Sequence, residues 1–188
     1  MKSNIFPALK LTAICILLFS GLYTLLIWGM AQVIAPNHGK GEAVVINGHK
    51  VGYALIGQKF TDDKYFWSRP SAVDYNAASS CGSNKGPSNP DYLLLVQGRV
   101  DTFLAHNPTV KKEDIPSELV TASGSGLDPD LSPKAATIQI ARIAKLRNIS
   151  EQKVATVVNN NTQKPLLGLF GPAKVNVLKL NIELDNLK

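Results

Sequence analysis

Few residues in this chain have types and spacing that could do chemistry. Ser123-Gly124-Ser125-Gly126 offers successive backbone amides that could form a nest for an anion, and the helix start at Ser132-Pro133 adds a positive dipole end nearby in sequence. A phosphate or nucleotide is the ligand such a feature would take. The simpler reading, which we favour, is turn chemistry: Gly124 and Gly126 reach backbone angles closed to other residues, and Asp128-Pro129 stops the segment. The stretch is not an esterase elbow, which needs glycine two residues to each side of Ser125, where Ser123 and Leu127 stand. His38, His49 and His106 are scattered, with no Cys-x-x-Cys or His-Glu-x-x-His spacing, so no metal site is expected. Neither a Gly-x-x-x-x-Gly-Lys-Ser/Thr loop nor an Asp-Lys-Thr-Gly-Thr phosphorylation sequence occurs. No known ATP-hydrolysing device is therefore present, and any energy source belongs to another chain.

The first of the elements that must hold these residues is apolar. Residues 11–35 carry no formal charge and are rich in Leu and Ile. At ~1.5 Å rise per residue a helix there is about 37 Å long, enough for a bilayer core of roughly 30 Å. Tyr23 and Trp28 lie in its second half, where aromatics suit an interface, and residues 36–41 supply the break. A cleaved secretory signal has a shorter apolar core, about 7 to 15 residues. Pro36 also fits poorly after a Val33-x-Ala35 cleavage site, so an uncleaved anchor is favoured. Lys2 and Lys10 precede the span while Lys40 and Lys50 follow it, a near tie by charge. Long domains translocate regardless of charge, and a short acid-free tail is easily retained. The expected organisation is a cytoplasmic tail over residues 1–10, a transmembrane anchor over 11–35 and one extracytoplasmic domain over 36–188. Cys15 in the span and Cys81 in the domain cannot meet within one chain, so no structural disulfide is expected.

Composition fits a single globular domain behind the anchor. The 188 residues are 45% hydrophobic and 18% charged, which excludes disorder and a disulfide scaffold. Residues 36–188 suffice to bury about two thirds of their unfolded surface. The net charge of +6 includes Lys2 and Lys10 and contains no basic run, so nucleic acid is not an expected partner. Asn47-Gly48, between β-rich residues 43–46 and 50–56, predicts a hairpin. Residues 68–90, dense in Ser, Asn, Gly and Pro, predict a long loop, ordered or mobile, of a length that usually serves contacts. Asn89-Pro90-Asp91 predicts the start of a helix running to about His106. Ser132-Pro133 predicts a second, with Ala136, Ile140, Ile143 and Ala144 on one face and its end near Asn148, and Ser150 a third that ends before Pro165. Leu178, Leu180, Ile182 and Leu184 alternate with Lys179, Asn181 and Glu183, a period of two that predicts a half-buried strand. The fold class expected is α+β: one N-terminal transmembrane helix, then a single mixed α/β domain with a small sheet and about three helices.

Two outlines are set aside. Residues 133–158 suggest a helix-turn-helix, but a domain outside the membrane meets no DNA, and Arg142, Lys145 and Arg147 read as a solvated helix face. Lys50-Val51-Gly52-Tyr53 is similar to a potassium-filter sequence, which works only where several such loops converge; here it falls in a hairpin strand.

An ordered series of residues runs through nearly the whole chain: Leu55-Ile56-Gly57-Gln58 with Phe60, Tyr65-Phe66, Arg69-Pro70-Ser71-Ala72, Tyr75-Asn76, and Gly82-Ser83-Asn84 with Gly86-Pro87 and Asn89. It continues through Thr121-Ala122-Ser123-Gly124-Ser125-Gly126-Leu127-Asp128-Pro129, Ser132-Pro133-x-Ala135-Ala136, Gln139 with Arg142, and Val175-Asn176-Val177-Leu178-x-Leu180-Asn181. This series resembles the C subunit of the Kdp-type potassium-transporting P-type ATPase. Cys81 and Lys85 stand where that family tends to have Gly and Leu, and Asp130-Leu131 where it tends to have His-Ile.

The resemblance implies a non-catalytic, single-span subunit of an ATP-driven high-affinity potassium importer. Its implied partners are a channel-like potassium-translocating subunit, an ATP-hydrolysing P-type subunit and the lipid bilayer. It also implies a catalytic chaperone that raises the nucleotide affinity of the hydrolysing partner, with ATP belonging to the complex and no cofactor held by this chain alone. Partner contact or structural roles are implied for Arg69, Pro70, Tyr75, Asn76, Ser83, Asn84, Asn89 and Asp128, and a nucleotide-related role for Ser123, Gly124, Ser125, Gly126 and Gln139. The alternative is a direct nucleotide-binding module contributing residues 123–126 to a shared ATP site. An extracytoplasmic nest cannot touch cytoplasmic ATP, so with that placement any effect on nucleotide affinity is a coupling free energy carried through the partners. A further reading has Asp62, Asp63 and Asp74 gathering potassium, against the plainer one of surface solubility.

Overall fold

The computed structural model describes residues 4–187; Lys2, counted above in the expected tail, lies outside the described residues. The chain forms two compact units, Met1–Ala43 and Val44–Lys188. The first is dominated by one helix, α1 (Ile5–Ile34), of mean hydropathy 2.1 and with no buried side chain. It begins six residues before Leu11, because Pro7 is tolerated in a first turn. It stops where expected: Ala35 is extended ahead of Pro36, and Asn37 and His38 turn the chain through the left-handed region.

The second unit opens with the expected hairpin, β1 (Ala43–Ile46) and β2 (His49–Tyr53). Asn47 and Gly48 both have positive φ, 50° and 80°, the conformation a two-residue hairpin turn requires. The second strand ends at Tyr53 and not at Ile56. After an irregular stretch comes α2 (Pro90–His106), begun by Asn89, whose side chain accepts the Tyr92 amide at 3.0 Å. A short strand β3 (Asp130–Leu131) precedes α3 (Pro133–Thr137), capped by Ser132.

The single helix expected from Pro133 to Asn148 is broken. The Gln139 amide bonds to Ala136, three residues back, while its side-chain amide takes the Ala135 carbonyl at 3.1 Å. The turn tightens there and a new helix, α4 (Ile140–Arg147), sets off. It ends at Asn148 in the left-handed conformation, and Ser150 caps α5 (Glu151–Asn161).

Strands β4 (Thr162–Gln163) and β5 (Lys174–Asn176) complete a three-stranded antiparallel sheet in the order β3-β5-β4, with Leu131 opposite Val175 and Thr162 opposite Val175. The predicted C-terminal strand is a helix, α6 (Val177–Asn186), capped by Asn176 onto the Lys179 amide at 3.0 Å. Its buried side chains, Val177, Leu178, Leu180, Asn181 and Leu184, follow the helical period. The apparent alternation of two arose from counting Asn181 as outward, and it is buried. Phe66, Phe103, Leu131, Ile143, Val154, Val175, Leu180 and Leu184 form one core beneath these elements.

Candidate functional site

The irregular segment between β2 and α2 carries most of the residues singled out in the sequence, and side chains from distant elements fix it. Asn181 on α6 accepts the Phe66 amide at 2.8 Å and donates to the Phe66 carbonyl at 3.1 Å. Gln139 does the same for the next residue, accepting from Trp67 N–H at 2.8 Å and donating to its carbonyl at 3.3 Å. Two side-chain amides thus stand in for a neighbouring strand, satisfying backbone groups that burial would otherwise leave unpaired. Arg142 locks the arrangement from below. Its guanidinium donates to Asn107 Oδ1 at 3.0 Å, Gln139 Oε1 at 2.8 Å, and the Tyr65 and Asp63 carbonyls, and it lies 4.8 Å from the Trp67 ring centre. Burial pushes its pKa down to about 10, opposed by Asp63 and Asp62, so it is still charged at neutral pH. Arg142, expected on a solvated face, is instead 3% exposed at its side chain.

A second latch closes the loop against the glycine-rich turn. Arg69 Nη1 meets Asp128 Oδ2 at 2.8 Å, with both side chains about one quarter exposed. Ser71 Oγ donates to the Gly126 carbonyl at 2.6 Å and accepts the amides of Val73 and Tyr75, and the Tyr75 hydroxyl donates back to the Arg69 carbonyl. Burial raises the Tyr75 phenol to about 12. The Pro70 carbonyl accepts from Ser123 N–H at 3.1 Å, and Ser80 Oγ donates to the Ser125 carbonyl at 3.0 Å. Gly126 sits at φ +70°, where a Cβ would come within 2.6 Å of Val73 and 2.8 Å of the Cys81 carbonyl. Only glycine lets the two segments approach this closely. Ser83 is half-buried at the loop's far end, Asn84 is exposed in the left-handed region, and the exposed Asn76 accepts the Ala78 amide.

Several of the predicted site residues bond within the chain. Arg69 and Asp128 bond to each other. Of the amides offered as a nest, the first and last are engaged within the chain, Ser123 N–H on the Pro70 carbonyl and Gly126 N–H on Ser123 Oγ at 2.9 Å, and the next, Leu127 N–H, bonds to Ser125 Oγ at 3.1 Å. The turn chemistry favoured above holds at Gly126, which alone of the two glycines has positive φ. Gln139, expected near nucleotide, is fully buried with both ends of its amide on protein partners, so it holds the loop. The three aspartates do not gather: Asp62 pairs with Lys64, Asp74 with Lys59 and Asp63 with His106, at 3.2, 2.7 and 2.7 Å. Sequence reasoning missed the His106–Asp63 pair, the placement of Asn107 and Asn181, and Glu118, which accepts the Ser132 amide at 3.2 Å. The available signal was a polar residue, Gln139, Arg142 or Asn181, inside an otherwise apolar helical face. What results is an irregular surface held by hydrogen bonds and an ion pair within the chain.

The family profile for KdpC, described as "K+-transporting ATPase, c chain", matches residues 5–186. The chain is 57% identical over 185 residues to a potassium-transporting ATPase KdpC subunit from Flavobacterium psychrophilum, spanning 98% of this chain and 99% of that one. It is 50% identical to the KdpC subunit of Bacteroides fragilis, with 98% of both chains covered. For the KdpC subunit of Caldanaerobacter subterraneus the identity is 44%, over 98% of this chain and 95% of the relative. Matches at these identities along nearly the full length make this chain a member of the KdpC family, a subunit of a potassium-transporting ATPase complex.

Proposed function

We propose that the chain is a non-catalytic accessory subunit of an ATP-driven, high-affinity potassium import complex, needed for assembly. Its α1 spans the membrane with residues 1–10 in the cytoplasm, and its second unit lies outside the cytoplasm. Its partners are a channel-like potassium-translocating subunit and an ATP-hydrolysing P-type subunit, which holds the ATP. The observation that carries this reading is the latched loop: residues 68–90 and 123–128 are tied into one rigid, irregular surface by Arg69–Asp128, Ser71–Gly126 and Ser80–Ser125. A preformed surface of this kind suits docking, because little conformational freedom is lost on contact. The commitment of the Ser123, Gly126 and Leu127 amides within the chain supports action through neighbours over direct contact with ATP. Raising a partner's ATP affinity is then a coupling between sites, typically about 1–3 kcal/mol.

The test replaces residues 83–88 by a Gly-Ser spacer of equal length, leaving both latches and the Asn89 cap intact. Thermal unfolding of the chain should be unchanged, while co-purification of the other subunits and the apparent ATP affinity of the remaining complex fall. Normal assembly with unaltered ATP affinity would overturn the reading.

A further inference from the structure

The hairpin at residues 165–171 is the most exposed apolar feature of the second unit. Leu166 N–H bonds to the Phe170 carbonyl at 2.9 Å and Phe170 N–H to the Leu166 carbonyl at 3.0 Å. Leu167 at φ 54° and Gly168 at φ 73° close the bend. The backbone at the tip is therefore satisfied by itself, and the side chains are left outside: Leu166, Leu167, Leu169 and Phe170 are 70%, 82%, 82% and 63% exposed. Leucine rarely adopts a positive φ, so Leu167 holds an unfavourable conformation that leaves its side chain in solvent. Four large apolar side chains gathered on one tip call for a covering surface.

Charge and chain geometry select that surface. Residues 152–182 contain no acid and carry Lys153, Lys164, Lys174 and Lys179. Lys164 and Lys174 bracket the tip, Lys174 pairing with Asp130 at 2.7 Å. An apolar tip with basic flanks is complementary to an anionic bilayer surface. The same chain carries α1, an apolar helix long enough to cross a membrane.

We infer that the hairpin at residues 165–171 inserts into the interfacial layer of an anionic membrane. Leu166, Leu167, Leu169 and Phe170 enter the acyl boundary and Lys164 lies at the phosphates. The chain then has a second lipid contact besides α1, independent of the partner subunits. An apolar pocket on a partner protein is the competing cover.

The test uses the full chain carrying Cys15→Ser and Cys81→Ser, with one new cysteine at Leu167 or, as control, at the exposed Gln152 on α5. Both are labelled with a polarity-sensitive dye, and the chain is reconstituted in vesicles of phosphatidylethanolamine and phosphatidylglycerol. The label at position 167 should emit at shorter wavelength and lose emission to nitroxide-bearing lipids, while the control does neither. Adding Leu169→Asp and Phe170→Ser, both at exposed positions, should abolish that loss without changing the unfolding temperature. Replacing phosphatidylglycerol by phosphatidylcholine should reduce it, and an unchanged signal would refute selection by charge. Emission at 167 matching the control overturns the inference, as does protection that develops only once the other ATPase subunits are added.

Discussion

Arg142 ties the segment around residues 63–67 to the helical layer. Its guanidinium fork serves an amide side chain on α4's own N-terminal side, Asn107 after α2, and two carbonyls of the segment. Removing the fork takes from the buried Asn107 Oδ1 its donor and from the segment's two carbonyls theirs, while Gln139 Oε1 keeps the Trp67 amide. Arg142→Met should therefore destabilise the second unit by about 3–5 kcal/mol, read from denaturant unfolding of the full chain in micelles. Arg142→Lys should restore little, since a point charge cannot reach acceptors in three directions. Tyr75 gives a pH-dependent counterpart. Its phenol is raised from 10.0 to about 12 by burial, so the unfolded chain loses this proton first. Its contribution is fully present below the unfolded value and is lost as pH rises through the folded one. Arg142, shifted the other way, adds an opposing slope in the same alkaline range. Comparing the protein with Tyr75→Phe isolates the tyrosine: the variant should lose less stability between those two values, and a tyrosinate absorbance near the lower one that the folded parent shows and the folded variant lacks would contradict the assignment.

Among the elements, α6 separates the local reading from the tertiary one. Were residues 177–186 a strand with Asn181 on the wet face, Asn181→Leu would be nearly neutral. On a helix with Asn181 buried against Phe66, the substitution leaves the Phe66 amide and carbonyl unpaired. We expect a loss of about 2–4 kcal/mol, measurable by thermal or denaturant unfolding, with little change in far-ultraviolet circular dichroism. The apolar positions 178, 180 and 184 satisfy both periods, and only the environment of 177 and 181 decides between them. The break between α3 and α4 has the same origin. Nothing in local propensity interrupts residues 133–147, and it is the Gln139 side chain, recruited by Trp67 72 residues away, that tightens the turn. The beginnings of α2, α3 and α5 were legible because Asn89, Ser132 and Ser150 act on amides three residues ahead.

For the whole molecule, placement across the membrane is the property that selects between modes of action. Cys81 is exposed and unpaired, and Cys15 lies within α1, so the chain carries its own reporter. A membrane-impermeant maleimide applied to intact cells with a permeable outer envelope should label the chain, and Cys81→Ser should abolish labelling. Labelling that requires lysis would put the second unit in the cytoplasm and bring residues 123–126 within reach of ATP.

The sequence by itself determined the apolar helix, the Asn47-Gly48 hairpin, the starts of α2, α3 and α5 and, through its ordered series of residues, the family. The first three depend on forces acting over a few residues: the length of an apolar run, the positive φ open to Asn and Gly, and the reach of a capping side chain. Only the tertiary structure decided that residues 177–186 are helical, that Arg69 faces Asp128, that Gln139, Arg142 and Asn181 hold the loop, and that the 165–171 tip stays uncovered. Those outcomes depend on partners 59 to 115 residues apart in the chain, and burial, which decides whether a polar group must find a partner, is a property of the packed whole.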